Sequence, residues 1–153
     1  MGVPVEQGYF EVVDLDEPVD VVCAFHVLEH VDDPAAFLAT AHRIVHPGGR
    51  LAVEVPNIES AAAGRLGPRW PHIQPRFHRW HFTPTSLVRL IADHGFTVTS
   101  VDTIFSRFYW PPAGRARHAR ELWLADVAAS RSPRVAHASL GDFIRVVAVR
   151  EDR

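Results

Sequence analysis

His26, Glu29 and His30 fall together just after an apolar run, and His78 and His81 stand three apart farther along the chain. Histidine is the side chain best suited to taking or giving a proton near neutral pH, so these four imidazoles are the candidates for general acid or base work. His26 and His30 are four positions apart and share one face if the turn that carries them is helical. Imidazole and carboxylate also ligate divalent ions. A structural zinc site around His78 and His81 lacks support, because it would need further ligands and the single cysteine, Cys23, lies inside the apolar run. Glu29 and His30 are read as a structural hydrogen-bonding pair, and no residue is assigned to a metal.

The chain that must position these groups has 153 residues, room for one domain with one core. Apolar residues make up 47% and charged residues 22%, a composition that supports compact folding rather than disorder. The net charge of -2 argues against a dedicated nucleic-acid binder, which needs a basic footprint. The basic cluster Arg115, Arg117, His118 and Arg120 reads as the solvated face of a helix. A lone cysteine excludes a disulfide framework, fits a reducing cytoplasmic compartment, and is read as a small buried hydrophobe. No apolar stretch approaches the ~18 residues of a membrane span, and no signal-peptide pattern opens the chain.

Periodicity orders the elements. VDVVCAF, 19–25, is a nearly unbroken apolar run of strand length, the pattern of an interior strand covered on both faces. Asp33 followed by Pro34 is an N-cap with proline at the first helical position, and Phe37, Leu38, Ala41, Ile44 and Val45 form the buried stripe of the helix. His46 closes that helix, Pro47-Gly48-Gly49 turn the chain, and 50–55 (RLAVEV) is the next strand, giving a right-handed βαβ unit. A proline-broken stretch, 56–83, reads as a long loop that covers a site. Thr83-Pro84 opens a helix with Leu87, Leu90 and Ile91 on its apolar face and Gly95 at its end. Strands over 96–105 and 143–150 and a helix over 114–129 complete the pattern, and 3–13 holds one further strand.

These residues carry a resemblance. The run VDVVCAFHVLEHVDDPAAFLATAHRIVHPGGRLAVEVPN resembles the central block of class I S-adenosylmethionine (SAM)-dependent methyltransferases, and LGPRWPHIQPRFHRWHFTPTSLVRLIADHGF is similar to a bacterial branch of that superfamily. It implies an α/β fold, the second half of a doubly wound Rossmann-like sheet with an antiparallel last strand, in a single partial methyltransferase domain over 1–153. It also implies SAM as cofactor and a small-molecule acceptor as substrate. The family's glycine-rich turn after its first strand is absent from this sequence, and Gly48-Gly49 and Gly64-x-x-Gly67 do not replace it.

By resemblance, the cofactor touches Ala24, Phe25 and His26 at the end of one strand. Tyr9 follows Gly8 where relatives carry an acid for the adenine. Methyl transfer mainly requires alignment of a nucleophile behind the methyl group, so the catalytic expectation is confined to His26 or His30 as the acceptor's base. In methyltransferases of ubiquinone biosynthesis a similar block, with an acid in place of His26, is associated with a divalent metal, which His26, Glu29 and His30 could retain. Trp70, Arg76, His78 and His81 either line the acceptor pocket, or Trp70, Trp80 and Phe82 simply cover the sheet end and leave the histidines as surface polar groups.

Three readings follow from these residues. The first is a SAM-dependent methyltransferase represented by an incomplete chain that binds SAM no tighter than millimolar by itself. The second is a non-catalytic remnant or partner subunit that completes its sheet with another chain through an exposed apolar edge, or self-associates. The third is a divalent-metal-dependent enzyme built on the histidine cluster.

Overall fold

A computed structural model describes residues 5–104 and 141–151. Strand β1 (Val19–Phe25) leads through a short turn into helix α1 (Pro34–Ile44), which runs directly into β2 (Val45–Pro56). Helix α2 (Ala61–Leu66) and a 3-10 turn (Gly67–Arg69) follow, then α3 (Pro84–Ala92), β3 (Phe96–Ile104) and β4 (Phe143–Arg150). The sheet order is β1-β2-β4-β3, with β1 parallel to β2 and β4 antiparallel to both of its neighbours. The fold is therefore α/β, with the antiparallel last strand inserted between β2 and β3.

Local chemistry sets the helix starts. The Asp33 side chain accepts hydrogen bonds from the backbone N–H groups of Ala35 and Ala36, and Pro34 presets the first helical φ. Thr83 and Ser86 bond reciprocally in a capping box at the head of α3. Phe37, Leu38, Ala41 and Ile44 of α1 and Leu87 and Ile91 of α3 are buried. They join Val22, Ala24, Leu51, Val53, Ile144, Val146 and Ala148 of the sheet in one core. Each of the larger aliphatic and aromatic side chains so removed from water contributes roughly 1.5–3 kcal/mol.

Several expectations are corrected. β2 begins at Val45 rather than at 50, because Val45 already takes an extended conformation as the C-cap of α1. The Pro47-Gly48-Gly49 turn therefore lies inside the strand as an irregularity, where the partner of Val19 is Val45 and that of Val21 is Arg50. Gly49 is required there, since a Cβ would stand 2.6 Å from Val45 and 2.9 Å from the Asp20 carbonyl. His46 turns outward, within 3.0 Å of Asp20.

The described part of 3–13 is a 3-10 turn (Phe10–Val12) rather than a strand. Phe10 stacks on Phe37 at 4.2 Å between ring centroids, and Thr40 donates to the Glu11 carbonyl, so side-chain contacts with α1 take the place of sheet pairing. The stretch 56–83 is not a bare loop. It holds α2 and a second small core of Ala62, Ala63 and Trp70.

Among the described residues the helices cover one sheet face only. On the other face Val21, Cys23 and Phe25 of β1 are exposed, so Cys23 is not the buried hydrophobe its apolar neighbours suggest. β1 pairs on one side alone, with β2. The helix expected over 114–129 and its basic cluster lie outside the described residues. No helix among the described residues is long and apolar enough to cross a membrane.

Candidate active site

The carboxyl ends of β1 and β2 and the start of β4 meet where Pro56 pairs with Phe143, at the end of the sheet where ligands of such folds gather. His26 closes β1. Its backbone N–H donates to the Glu54 carbonyl at 2.9 Å, continuing the ladder by one rung, and its φ of 56° bends the chain out of the strand. This left-handed angle is rare for a residue with a side chain, and it delivers the imidazole to the sheet end rather than along it.

Two carboxylates face that ring. Glu29 stands 3.4 Å from Nδ1 and Glu54 3.3 Å from Nε2. Glu54 is fixed by its cross-strand partner Arg145, whose Nε and Nη2 donate to one carboxylate oxygen at 2.9 and 2.6 Å. Phe143 meets the His26 ring edge-on at 4.9 Å. The imidazole thus sits at a surface position with a carboxylate beside each ring nitrogen.

His30 does not share a helical face with His26, because 26–30 is a turn. Its ring comes to within 4.0 Å of Glu29, beyond hydrogen-bond reach, so the expected Glu29–His30 hydrogen bond is absent. The His30 Nδ1–H instead donates to the Phe77 carbonyl at 2.9 Å, since a carbonyl can only accept. The turn and the segment after Trp70 are further joined by the N–H groups of Arg79 and Trp80 donating to the Glu29 carbonyl. Arg79 pairs with Asp32 at 2.7 Å, and the Trp80 indole donates to the Val31 carbonyl.

This docking brings His78 to the site but not its neighbours. His78 is buried and donates through Nδ1 to the His72 carbonyl at 2.8 Å, its ring edge-on to His30 at 4.7 Å. Burial first, and then the other imidazoles, hold its proton affinity below the ordinary histidine value, against the His72 carbonyl and Glu29, which favour the proton. His72, unremarked in the sequence, is pushed down to about 4, mainly by burial and further by His78 and His26.

His81 stays exposed, its ring 6.3 Å from His78. Trp70 is 1% exposed within the small core under α2, so it supports the covering segment rather than facing an acceptor. Arg76 is exposed within the same segment. Of the cofactor candidates, Phe25 is exposed beside Arg145, while the Ala24 side chain is buried in the core and leaves only its backbone to meet a ligand. Tyr9 stands exposed ahead of the 3-10 turn that packs on α1.

Sequence reasoning missed Glu54, His72, Phe143 and Arg145. Glu54 carried a signal, as a carboxylate interrupting an apolar strand two residues before its end. Arg145 becomes informative only once β4 is known to lie against β2.

Glu29, His30 and His78 each offer one donor atom within 4.8 Å of the others. Glu29 is 1% exposed with no hydrogen-bond partner for either carboxylate oxygen, and both imidazoles commit Nδ1 to backbone carbonyls. The donor set therefore fits a divalent cation, although His26 is not part of it.

A family model for the methyltransferase domain matches residues 5–101, most of the described chain. The chain belongs to the class I SAM-dependent methyltransferase superfamily. Among curated relatives, a ubiquinone biosynthesis O-methyltransferase of Methylobacterium sp. is 33% identical over 133 residues, covering 78% of this chain and 51% of the relative. The corresponding enzyme of Methylobacterium nodulans is 32% identical over 145 residues, covering 86% and 55%. A crystallised SAM-dependent methyltransferase of Thermotoga maritima superposes with a TM-score of 0.67 at 22% identity, over 98% of this chain and 65% of its own, which shows the shared fold. This methyltransferase-superfamily chain spans about half the length of the two Methylobacterium relatives and a third of a relative from Mycolicibacterium smegmatis.

Proposed function

We propose that the chain acts in SAM-dependent methyl transfer to a small-molecule acceptor, with the acceptor held at the carboxyl ends of β1 and β2 and its proton taken by His26. The observation that carries this reading is the position of His26, which lies at the strand end where ligands of this fold bind and between the carboxylates of Glu29 and Glu54. SAM supplies the methyl group as a sulfonium electrophile. What this chain's residues do is hold and deprotonate the nucleophile, a task for which an imidazole flanked by carboxylates is suited.

Phe25, His26 and Tyr9 are exposed, and we assign them cofactor contact on the resemblance. The names of the Methylobacterium relatives favour an acceptor hydroxyl over an amine. His30 is a weaker candidate for the base, since its Nδ1 is committed to the Phe77 carbonyl and its Nε2 faces Glu29.

The test is transfer of a labelled methyl group to a panel of phenols and amines. SAM is supplied well above millimolar. His26→Asn should lower the rate by about 10²–10⁴-fold, the usual worth of a positioned base. A rate independent of His26 would remove it from the mechanism, and no transfer by the unmodified protein would overturn the reading.

A further inference from the structure

We infer that Glu29, His30 and His78 form a site for a borderline divalent cation of the Zn²⁺ or Co²⁺ kind, with His78 contributed by the segment folded over the strand ends. The resemblance to ubiquinone-pathway enzymes suggested His26, Glu29 and His30. The geometry replaces His26 with a residue almost fifty positions away in sequence.

Both imidazoles are prepared as ligands in the same way. Each donates Nδ1–H to a backbone carbonyl, His30 to Phe77 at 2.9 Å and His78 to His72 at 2.8 Å. That bond fixes the tautomer with a free lone pair on Nε2, the support that metal-bound histidines characteristically receive.

Glu29 supplies the independent observation. It is 1% exposed, and neither of its carboxylate oxygens has a hydrogen-bond partner. Its nearest polar neighbour is His26 Nδ1, 3.4 Å from one oxygen, so the buried carboxylate keeps capacity that a cation would satisfy. The donor atoms lie within 4.8 Å of one another. Ligands at ~2.0–2.2 Å from a tetrahedral ion would be roughly 3.4 Å apart, so the site must contract by up to about 1.4 Å. Glu29 and the half-exposed His30 can supply that movement.

Two imidazoles and one carboxylate are the ligand set of open zinc sites, whereas Mg²⁺ prefers oxygen and retained water. His26 lies outside this set, with its Nε2 turned to Glu54, 3.3 Å away, and its Nδ1 3.4 Å from Glu29. An ion so held would fasten the covering segment to the turn after β1, adding coordination bonds to the hydrogen bonds that Arg79 and Trp80 make with Glu29.

Metal-free protein titrated with Co²⁺ should develop visible d–d absorption, and Zn²⁺ should displace it. Glu29→Gln, His30→Ala and His78→Ala should each weaken binding at least about 10-fold, while His26→Ala stays within about threefold. Zn²⁺ should also slow amide exchange across 77–82 in the unmodified protein and not in His78→Ala. Should His78→Ala fail to fold, the His78 Nε2 resonance of the unmodified protein decides: a Zn²⁺-induced shift supports the site and an unmoved signal rejects it. Absence of Co²⁺ binding tighter than millimolar, or a loss on His26→Ala equal to that on His78→Ala, would overturn the assignment. So would a preference for Mg²⁺. None of these readouts involves methyl transfer, so this site and the proposed activity can fail separately.

Discussion

At the scale of single residues, the histidines divide by what surrounds them. His26 spends backbone strain, a left-handed φ worth about 1–2 kcal/mol for a residue with a Cβ, to stand between two carboxylates. His42, in the last turn of α1, has a different setting. Its ring packs edge-on to Phe96 at 5.5 Å, and burial, then the Arg150 guanidinium, lower its proton affinity. The folded chain therefore holds this proton less well than the unfolded chain, which titrates near the ordinary value of about 6.5. Stability from neutral His42 is complete above that pH and is lost as the pH falls below it. Melting temperatures of the unmodified protein and His42→Gln, measured from pH 7.5 down to 5, should converge on acidification. A constant gap would show that the His42 proton is not linked to folding.

The secondary-structure elements depend on caps as much as on apolar stripes, and caps are where the sequence was most legible. Asp33 accepts from two backbone N–H groups at 2.8 and 3.2 Å. Asp33→Ala should lower unfolding free energy by about 1 kcal/mol, read from denaturant midpoints, and Asp33→Asn should restore most of it. If alanine costs nothing, the helix start rests on Pro34 and packing alone. The same pairing of cap and proline correctly placed α3, a nearly continuous apolar run placed β1, and the strands read over 96–105 and 143–150 match β3 and β4. What the sequence hid were contacts closed by chain segments far apart. The ion pair of Glu54 and Arg145 needs the antiparallel insertion of β4, and the meeting of His78 with His30 needs the segment after Trp70 to fold back on the turn. Trp70 and Cys23 were misjudged for a related reason, since aromatic and apolar residues reveal their burial only when it is known which face a neighbour covers.

For the whole molecule, the sheet is built asymmetrically. Val22 and Ala24 point into the core under α1, whereas Val21 is 47% and Phe25 51% exposed on the opposite face of the same strand. An apolar run that reads as covered on both faces is thus covered on one among the described residues, and its outer edge pairs with no described strand. This asymmetry makes adjacent substitutions diverge. Val22→Lys places a charge in a closed core and should cost more than about 3 kcal/mol. Val21→Lys should change stability by no more than about 0.5 kcal/mol. Chemical denaturation at two protein concentrations separates the possible outcomes for Val21. Near-neutrality at both fits an open face. A cost of several kcal/mol independent of concentration means that this chain covers the face itself, and a cost that grows with concentration means that a second copy does, through the exposed apolar surface of β1.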